Sequence, residues 1–253
     1  MTQKTQVDLS GRVAIVAGGG GMIGSAIAAR LAAGGAKVIS ADVGFGEAPS
    51  GGISHHQADL TDPAAVRTLI DAVIAEHGRL DCLVCAAGVV SLGPFESVTV
   101  EEWDRVHAIN LRGVFLLMQA AVAPMRKAGY GRIVTIGSVV AKNGGNARPW
   151  IDRAEQTSSS NAAYGASKAG VHALTWYLAK ELAADGITVN AVAPGPVASR
   201  MTATFPAALA AQIPAGRLGS ADDIASAVAW LCAEETGFVT GEILDVNGGL
   251  VVD

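Results

Sequence analysis

Short apolar, β-branched runs alternate with longer Ala- and Leu-rich stretches along the whole chain. That alternation predicts an α/β protein rather than an all-helical or all-strand one. Arg12-Val13-Ala14-Ile15-Val16-Ala17 reads as a first strand, and Ser25-Ala26-Ile27-Ala28-Ala29-Arg30-Leu31 as the helix after it. Lys37-Val38-Ile39-Ser40-Ala41 reads as a second strand, and a third run ends at Asp59-Leu60-Thr61-Asp62. Leu80-Asp81-Cys82-Leu83-Val84-Cys85 and Arg132-Ile133-Val134-Thr135-Ile136-Gly137-Ser138 read as the fourth and fifth, and a sixth precedes Pro194. From Ala163 an Ala-, Leu- and Lys-rich segment predicts a helix to about Ala184. Asp62 before Pro63 has the makings of an N-cap followed by proline at the first helical position.

Between the first strand and its helix stands Gly18-Gly19-Gly20-Gly21-Met22-Ile23-Gly24. A glycine turn there lets backbone approach a pyrophosphate, which the amides and dipole of the helix N-terminus then hold. The glycines can be read in two registers, one anchored on Gly18 and Gly24, the other on Gly19, Gly21 and Gly24. Asp42 ends the second strand 18 residues beyond Gly24. A carboxylate there accepts hydrogen bonds from the adenosine ribose of NAD and repels the 2′-phosphate of NADP.

Tyr164 and Lys168 are four residues apart, so phenol and ammonium share a helix face. A cation about 4 Å away at an effective dielectric of ~20 is worth roughly 4 kcal/mol, enough to lower a tyrosine pKa by as much as ~3 units. The spacing therefore predicts a proton shuttle.

Together these residues resemble the short-chain dehydrogenase/reductase family, from about Leu9 to Gly249. The resemblance implies a single-domain, Rossmann-type, doubly wound parallel sheet of seven strands with helices on both faces, spanning residues 1–253. It implies that Gly18, Gly21, Met22, Ile23 and Gly24 hold the cofactor, although Ala17 and Met22 stand where the family has threonine and glycine. Asp42, Asp59 and Leu60 would face the adenosine half. Ala86-Ala87-Gly88 occupies the place of the usual Asn-Asn-Ala-Gly and would pass the nicotinamide ribose. Pro194, Val197 and Ser199 resemble the loop that holds the carboxamide, and Asn247 replaces a common aspartate near the end of the chain. The implied catalytic set is Asn110, Ser138, Tyr164 and Lys168: Tyr164 exchanges the proton, Ser138 holds the substrate oxygen, Lys168 lowers the tyrosine pKa and touches the ribose, and Asn110 leads to solvent through water. A homotetramer built through the Tyr164 helix and the C-terminal segment is also implied.

A length of 253 residues with no repeat and no break in composition fits one domain, and 50% hydrophobic residues suffice for its core. A net charge of −5 without a basic run argues against nucleic acid or an anionic membrane as partner. No uniformly apolar run reaches the ~18 residues of a spanning helix, and Met1 to Ser10 is polar, so a cytoplasmic location is expected. Cys82 and Cys85 lie on a predicted strand, which points them to opposite faces; with Cys232 they read as small buried residues. The five histidines show no metal spacing, and no metal is expected.

Ser138 and Tyr164 are 26 positions apart, against about a dozen in most of the family, and long loops of this kind are often lids or binding loops. The extra residues, about 142–162, include Arg148 and Trp150 as candidate contacts to a hydroxylated or anionic substrate. The reaction expected is NAD-dependent oxidation of a secondary alcohol on a sugar, polyol or cyclic diol. Reduction of a 3-oxoacyl or other ketone substrate is the alternative within the family, which generally uses NADPH for it. A non-catalytic NAD sensor and a structural role in an oligomer are the alternatives of different class.

Overall fold

A computed structural model describes residues 7–46, 51–145, 162–199 and 210–252. Seven parallel strands form one sheet in the order β3-β2-β1-β4-β5-β6-β7. They are β1 (Val13–Ala17), β2 (Lys37–Asp42), β3 (Ile53–Gln57), β4 (Cys82–Cys85), β5 (Gly131–Ile136), β6 (Ile187–Pro194) and β7 (Ile243–Val246). Strands β1, β4, β5 and β6 are buried along their whole length, as near-continuous Val, Ile and Ala runs require when helices cover both faces of a sheet. Edge strand β3 carries the polar pattern instead, with His55 and His56 only partly buried.

The period of two within each strand divides the core. Val13, Ile15 and Ala17 face a layer that also holds Val66 and Leu69 of α2 (Pro63–His77), Leu117 and Met118 of α4 (Gly113–Ala128), and Val171 and Leu182 of α6 (Ala162–Leu182). Ala14 and Val16 face the other layer with Ile27 and Leu31 of α1 (Met22–Ala33) and Ile224 and Val228 of α7 (Ala221–Cys232). Cys85 joins the first layer and Cys82 the second, so the two thiols lie on opposite faces as the strand predicts. Each large aliphatic side chain fully buried in these layers contributes about 1.5–3 kcal/mol relative to exposure.

Helix starts follow local chemistry. Asp62 accepts from the Ala64 amide at 2.9 Å with Pro63 at the first helical position, and Ser220 and Asp223 form a reciprocal capping box at α7. Helix α3 (Val100–His107) starts at Thr99, whose hydroxyl accepts from the Glu102 amide. A π-turn over Ala108–Arg112 then leads into α4, so a continuous helical run extends from Val100 to Ala128. By length and mean hydropathy that run is sufficient to cross a membrane, a property hidden from a search for uninterrupted apolar runs because Asn110 and Arg112 divide it. Its Leu117, Met118, Ala121 and Met125 pack on the sheet, as in the core helix of a globular protein.

Strand order reverses between β1 and β4, and in open α/β sheets the binding crevice forms outside the carboxyl ends of the strands at such a switch point. The crevice here is tight at its floor. Gly18 has φ +85°, and a Cβ on it would stand 2.3 Å from the Ala87 amide nitrogen.

Candidate active site

The glycine turn closes on itself. A Cβ at Gly24 would lie 2.1 Å from the Gly18 carbonyl, and one at Gly20 2.3 Å from the Gly44 carbonyl, whereas at Gly21 its nearest neighbour would be 3.4 Å away. A Cβ at Gly19 would in turn run into the Ser40 side chain, so Gly18, Gly19, Gly20 and Gly24 are all held to glycine by their surroundings, and both readings of the turn contain such positions. Met22 opens α1 with its side chain partly exposed, and Ile23 packs against the second core layer.

A cleft of about 460 Å³ lies along the carboxyl ends of β1, β2 and β4. Of the expected cofactor residues its lining includes Gly18, Gly21, Asp42, Asp59, Leu60 and Ala86 to Gly88. Both oxygens of Asp42 are engaged: Oδ2 accepts from the Gly20 amide at 3.0 Å and Oδ1 from the Val43 amide at 2.7 Å. Asp59 accepts from the amide and hydroxyl of Thr61 at 2.9 and 2.7 Å, and these bonds hold its carboxyl below the usual aspartate value. Sequence reasoning missed Val43, Thr61, Val89, Arg105, Ala108 and Ile109, which also line the cleft. Val43 and Thr61 were signalled by adjacency to Asp42 and Asp59. Arg105 carried no signal, since its place depends on how α3 docks; there Glu102 holds its guanidinium in a two-pronged ion pair at 2.7 and 2.8 Å.

Beyond β4 the chemistry gathers at the ends of β5 and α6. Ser138 lies buried two residues past β5, its hydroxyl accepting at 3.2 Å from the amide of Val140, which opens α5 (Val140–Asn143), and its side chain draws the Tyr164 pKa down. Fully buried Asn110 sits in the π-turn. Its Oδ1 accepts from the Val89 amide at 2.8 Å, and its Nδ2 donates to the Val89 carbonyl at 2.9 Å and to the Ser167 hydroxyl at 3.0 Å. Gly88 joins the two halves of the site, because a Cβ there would lie 3.4 Å from Lys168 Nζ and 3.5 Å from Asn110 Oδ1. Pro194 ends β6, and Val197 forms a single bridge with Gly219. Ser199 closes that described segment. Arg148 and Trp150 lie outside the described residues.

The electrostatics of the pair differ from the expectation. Lys168 Nζ donates to the Ile136 carbonyl at 2.7 Å and lies 5.9 Å from the Tyr164 ring centroid. Burial pushes the Tyr164 phenol above its ordinary value, only partly offset by the Ser138 hydrogen bond, and pushes Lys168 down to about 8. Desolvation penalises both charged forms and, in the protein by itself, outweighs the attraction that four-residue spacing suggested. In the protein by itself the Tyr164 phenol therefore keeps its proton at neutral pH.

The fold has counterparts among known proteins. A family model described as enoyl-(acyl carrier protein) reductase matches residues 19–251. The chain is 39% identical over 258 residues to the 3-oxoacyl-[acyl-carrier-protein] reductase FabG of Escherichia coli (strain K12), covering 96% of this chain and 99% of that protein. It is 35% identical over 268 residues to the (3R)-3-hydroxyacyl-CoA dehydrogenase of Mus musculus, covering 97% and 98%. The crystal structure of gox2181 matches with a TM-score of 0.87 at 34% identity over 97% of each chain. The chain belongs to the short-chain dehydrogenase/reductase family.

Within the short-chain dehydrogenase/reductase pattern, two departures have a local account. Ala86 replaces a polar residue but keeps its backbone role, donating its amide to the Ala17 carbonyl at 2.8 Å. Asn247 accepts from the Gly249 amide and donates to the Val251 carbonyl, both at 2.9 Å, so its amide organises the turn after β7.

Proposed function

We propose that the protein interconverts a ketone and a secondary alcohol on an acyl thioester of the 3-oxoacyl and 3-hydroxyacyl class, with NAD as the favoured cofactor. The observation that carries this reading is the gathering of buried Ser138 beside Tyr164, with Lys168 and Asn110 under Gly88 at the carboxyl edge of the sheet. The names of the relatives favour the ketone-reductase alternative over the sugar, polyol or cyclic diol expected from sequence.

The residues present fit a dinucleotide. Gly18, Gly20 and Gly24 leave backbone where side chains would clash, and the free amides at the start of α1 suit a pyrophosphate. Asp42 supports NAD, since its carboxylate is fixed by two amides beside the cleft and would repel a 2′-phosphate. Tyr164 and Lys168 flank the nicotinamide half in this reading, with Met22, Ile23, Pro194, Val197 and Ser199 supplying backbone and apolar contact. When bound, the nicotinamide gives or takes the hydride.

In reduction, Ser138 holds the substrate oxygen and Tyr164 donates its proton to that oxygen as it gains charge. In oxidation the phenolate receives the proton back. Lys168 supplies positive charge and its proton to the relay, and Asn110, fixed by Val89 and Ser167, aligns the path to water. General acid catalysis of this kind contributes typically ~10²- to 10⁴-fold, with the rest from placing donor and acceptor together.

We place the reaction in the cytoplasm, a reading supported by three buried free thiols. We assign the assembly as a homotetramer. Its support is a nearly apolar groove of about 490 Å³ between α4 and α6, where Phe115 and Tyr177 are exposed. The test of the reaction follows nicotinamide absorbance with NADH or NADPH and a 3-oxoacyl-CoA thioester, beside NAD or NADP with sugars, polyols and cyclic diols. Faster thioester turnover with NADH is expected. Preference for NADPH would overturn the reading of Asp42, turnover of sugars alone would reverse the substrate class, and silence with every pair would favour the sensor.

A further inference from the structure

The Tyr164 helix meets the end of β5 through a file of side chains. Thr175 Oγ1 lies 3.2 Å from Thr135 Oγ1, Lys168 Nζ donates to the Ile136 carbonyl, and the Ser138 main-chain N–H donates to His172 Nε2 at 3.4 Å. Residues 164, 168, 172 and 175 follow the spacing of one helix face. Of this file, His172 has no part in the proton path.

The turn that carries Ser138 is nevertheless shaped around His172. The imidazole is 3% exposed, and a Cβ on Gly137 would stand 2.2 Å from Nε2, so only glycine lets the backbone lie against the ring. Trp176, one helical turn on, meets the ring edge with centroids 6.3 Å apart. Burial and the facing cations of Lys142 and Lys168 hold the imidazole neutral, with its pKa down at about 4. A neutral imidazole offers one acceptor nitrogen, and here that nitrogen must be Nε2, which places the proton on Nδ1.

We infer that His172 is a positioning residue: by accepting from the Ser138 main chain it fixes the serine hydroxyl against the Tyr164 phenol. The two side chains lie two turns apart on one rigid helix, so α6 grips Ser138 by hydroxyl and by backbone at once. This inference rests on the proposed role of Ser138 in holding the substrate oxygen, and it adds a residue whose effect is felt only through that serine.

The experiment compares His172→Leu, which has no acceptor, with His172→Gln, whose amide oxygen reaches near the place of Nε2. H172L should lower kcat about 2- to 10-fold, the range of one lost hydrogen bond, with little change in KM. Its oxidation rate should also require higher pH, because the Ser138 bond that draws the Tyr164 pKa down is weakened. H172Q should recover most of kcat and the original pH profile. If both variants lose melting temperature but keep kcat and the pH profile, His172 serves packing alone and the inference fails. Long-range ¹H–¹⁵N spectra of the unaltered protein give a second reading that needs no variant: an unprotonated Nε2 is expected, and a proton on Nε2 would overturn the proposal even if H172L does not fold. A parent enzyme inactive on every substrate would count against the proposed reaction, while the tautomer still decides the bond between His172 and Ser138.

Discussion

The Lys168 ammonium is anchored on the Ile136 main-chain carbonyl at 2.7 Å. This bond holds the cation at the end of β5 and ties the catalytic helix to the strand that delivers Ser138. Burial of that cation also sets a pH signature. Lys168 has a folded pKa of about 8 against 10.5 unperturbed, so between those values the unfolded chain binds the extra proton and stability rises with pH. The contribution amounts to about 3 kcal/mol across that window. Urea midpoints at pH 7.5 and above 10 should show this gain in the parent protein relative to Lys168→Met; parallel curves for the two would contradict it.

Tyr164→Phe removes the hydroxyl and leaves the ring. Turnover is expected to fall by about 10²- to 10⁴-fold, with the dissociation constant for NADH within about threefold, since a factor of three is under 1 kcal/mol. Steady-state rates and a fluorescence titration check the two halves. In the active enzyme, Tyr164 raised by burial predicts that ketone reduction stays level through neutrality and declines in alkali, while alcohol oxidation climbs over the same range.

Cofactor choice should turn on Asp42. Replacement by Ser removes the charge and frees the Gly20 and Val43 amides, which can then donate to a phosphate. The ratio of kcat/KM for NAD over NADP is expected to drop by about 10- to 100-fold, as removal of roughly 1.4–3 kcal/mol of repulsion implies. An unchanged ratio would assign selectivity to another residue of the cleft.

Asn110→Ala should cost stability as well as rate. It leaves the Val89 amide and carbonyl without their side-chain partner in a half-buried turn, a loss of about 0.5–1.5 kcal/mol for each bond. Calorimetry should show a fall in melting temperature, and Asn110→Asp should recover only the bond to the Val89 amide, because a carboxylate cannot donate to the carbonyl.

Much of this was legible in the residues themselves. Apolar runs marked β1, β2, β4 and β5 to within about two residues, while β3 stops at Gln57, short of the end read at Asp59 to Asp62; Asp62-Pro63 marked the start of α2, and the glycine turn with Asp42 pointed to the crevice at the switch between β1 and β4. What sequence spacing could not weigh was solvent. Tyr164 and Lys168 do share a helix face, yet burial moves both against their charged forms. His172 was equally hidden: its helix spacing from Tyr164 was readable, but its contact with Gly137 and Ser138 depends on how β5 ends against α6. Asn110 was legible only through the resemblance, and its grip on Val89 joins residues 21 positions apart through the packing of the π-turn against the loop after β4.

Cys82 and Cys85 in the centre of the sheet and Cys232 at the end of α7 are closed to solvent. A thiol reagent can reach the first two only when the helices that cover the sheet move off it, so their labelling rate works as a clock for opening of the molecule. Because they belong to opposite core layers, site-resolved labelling would also tell which face of the sheet loses its helices first.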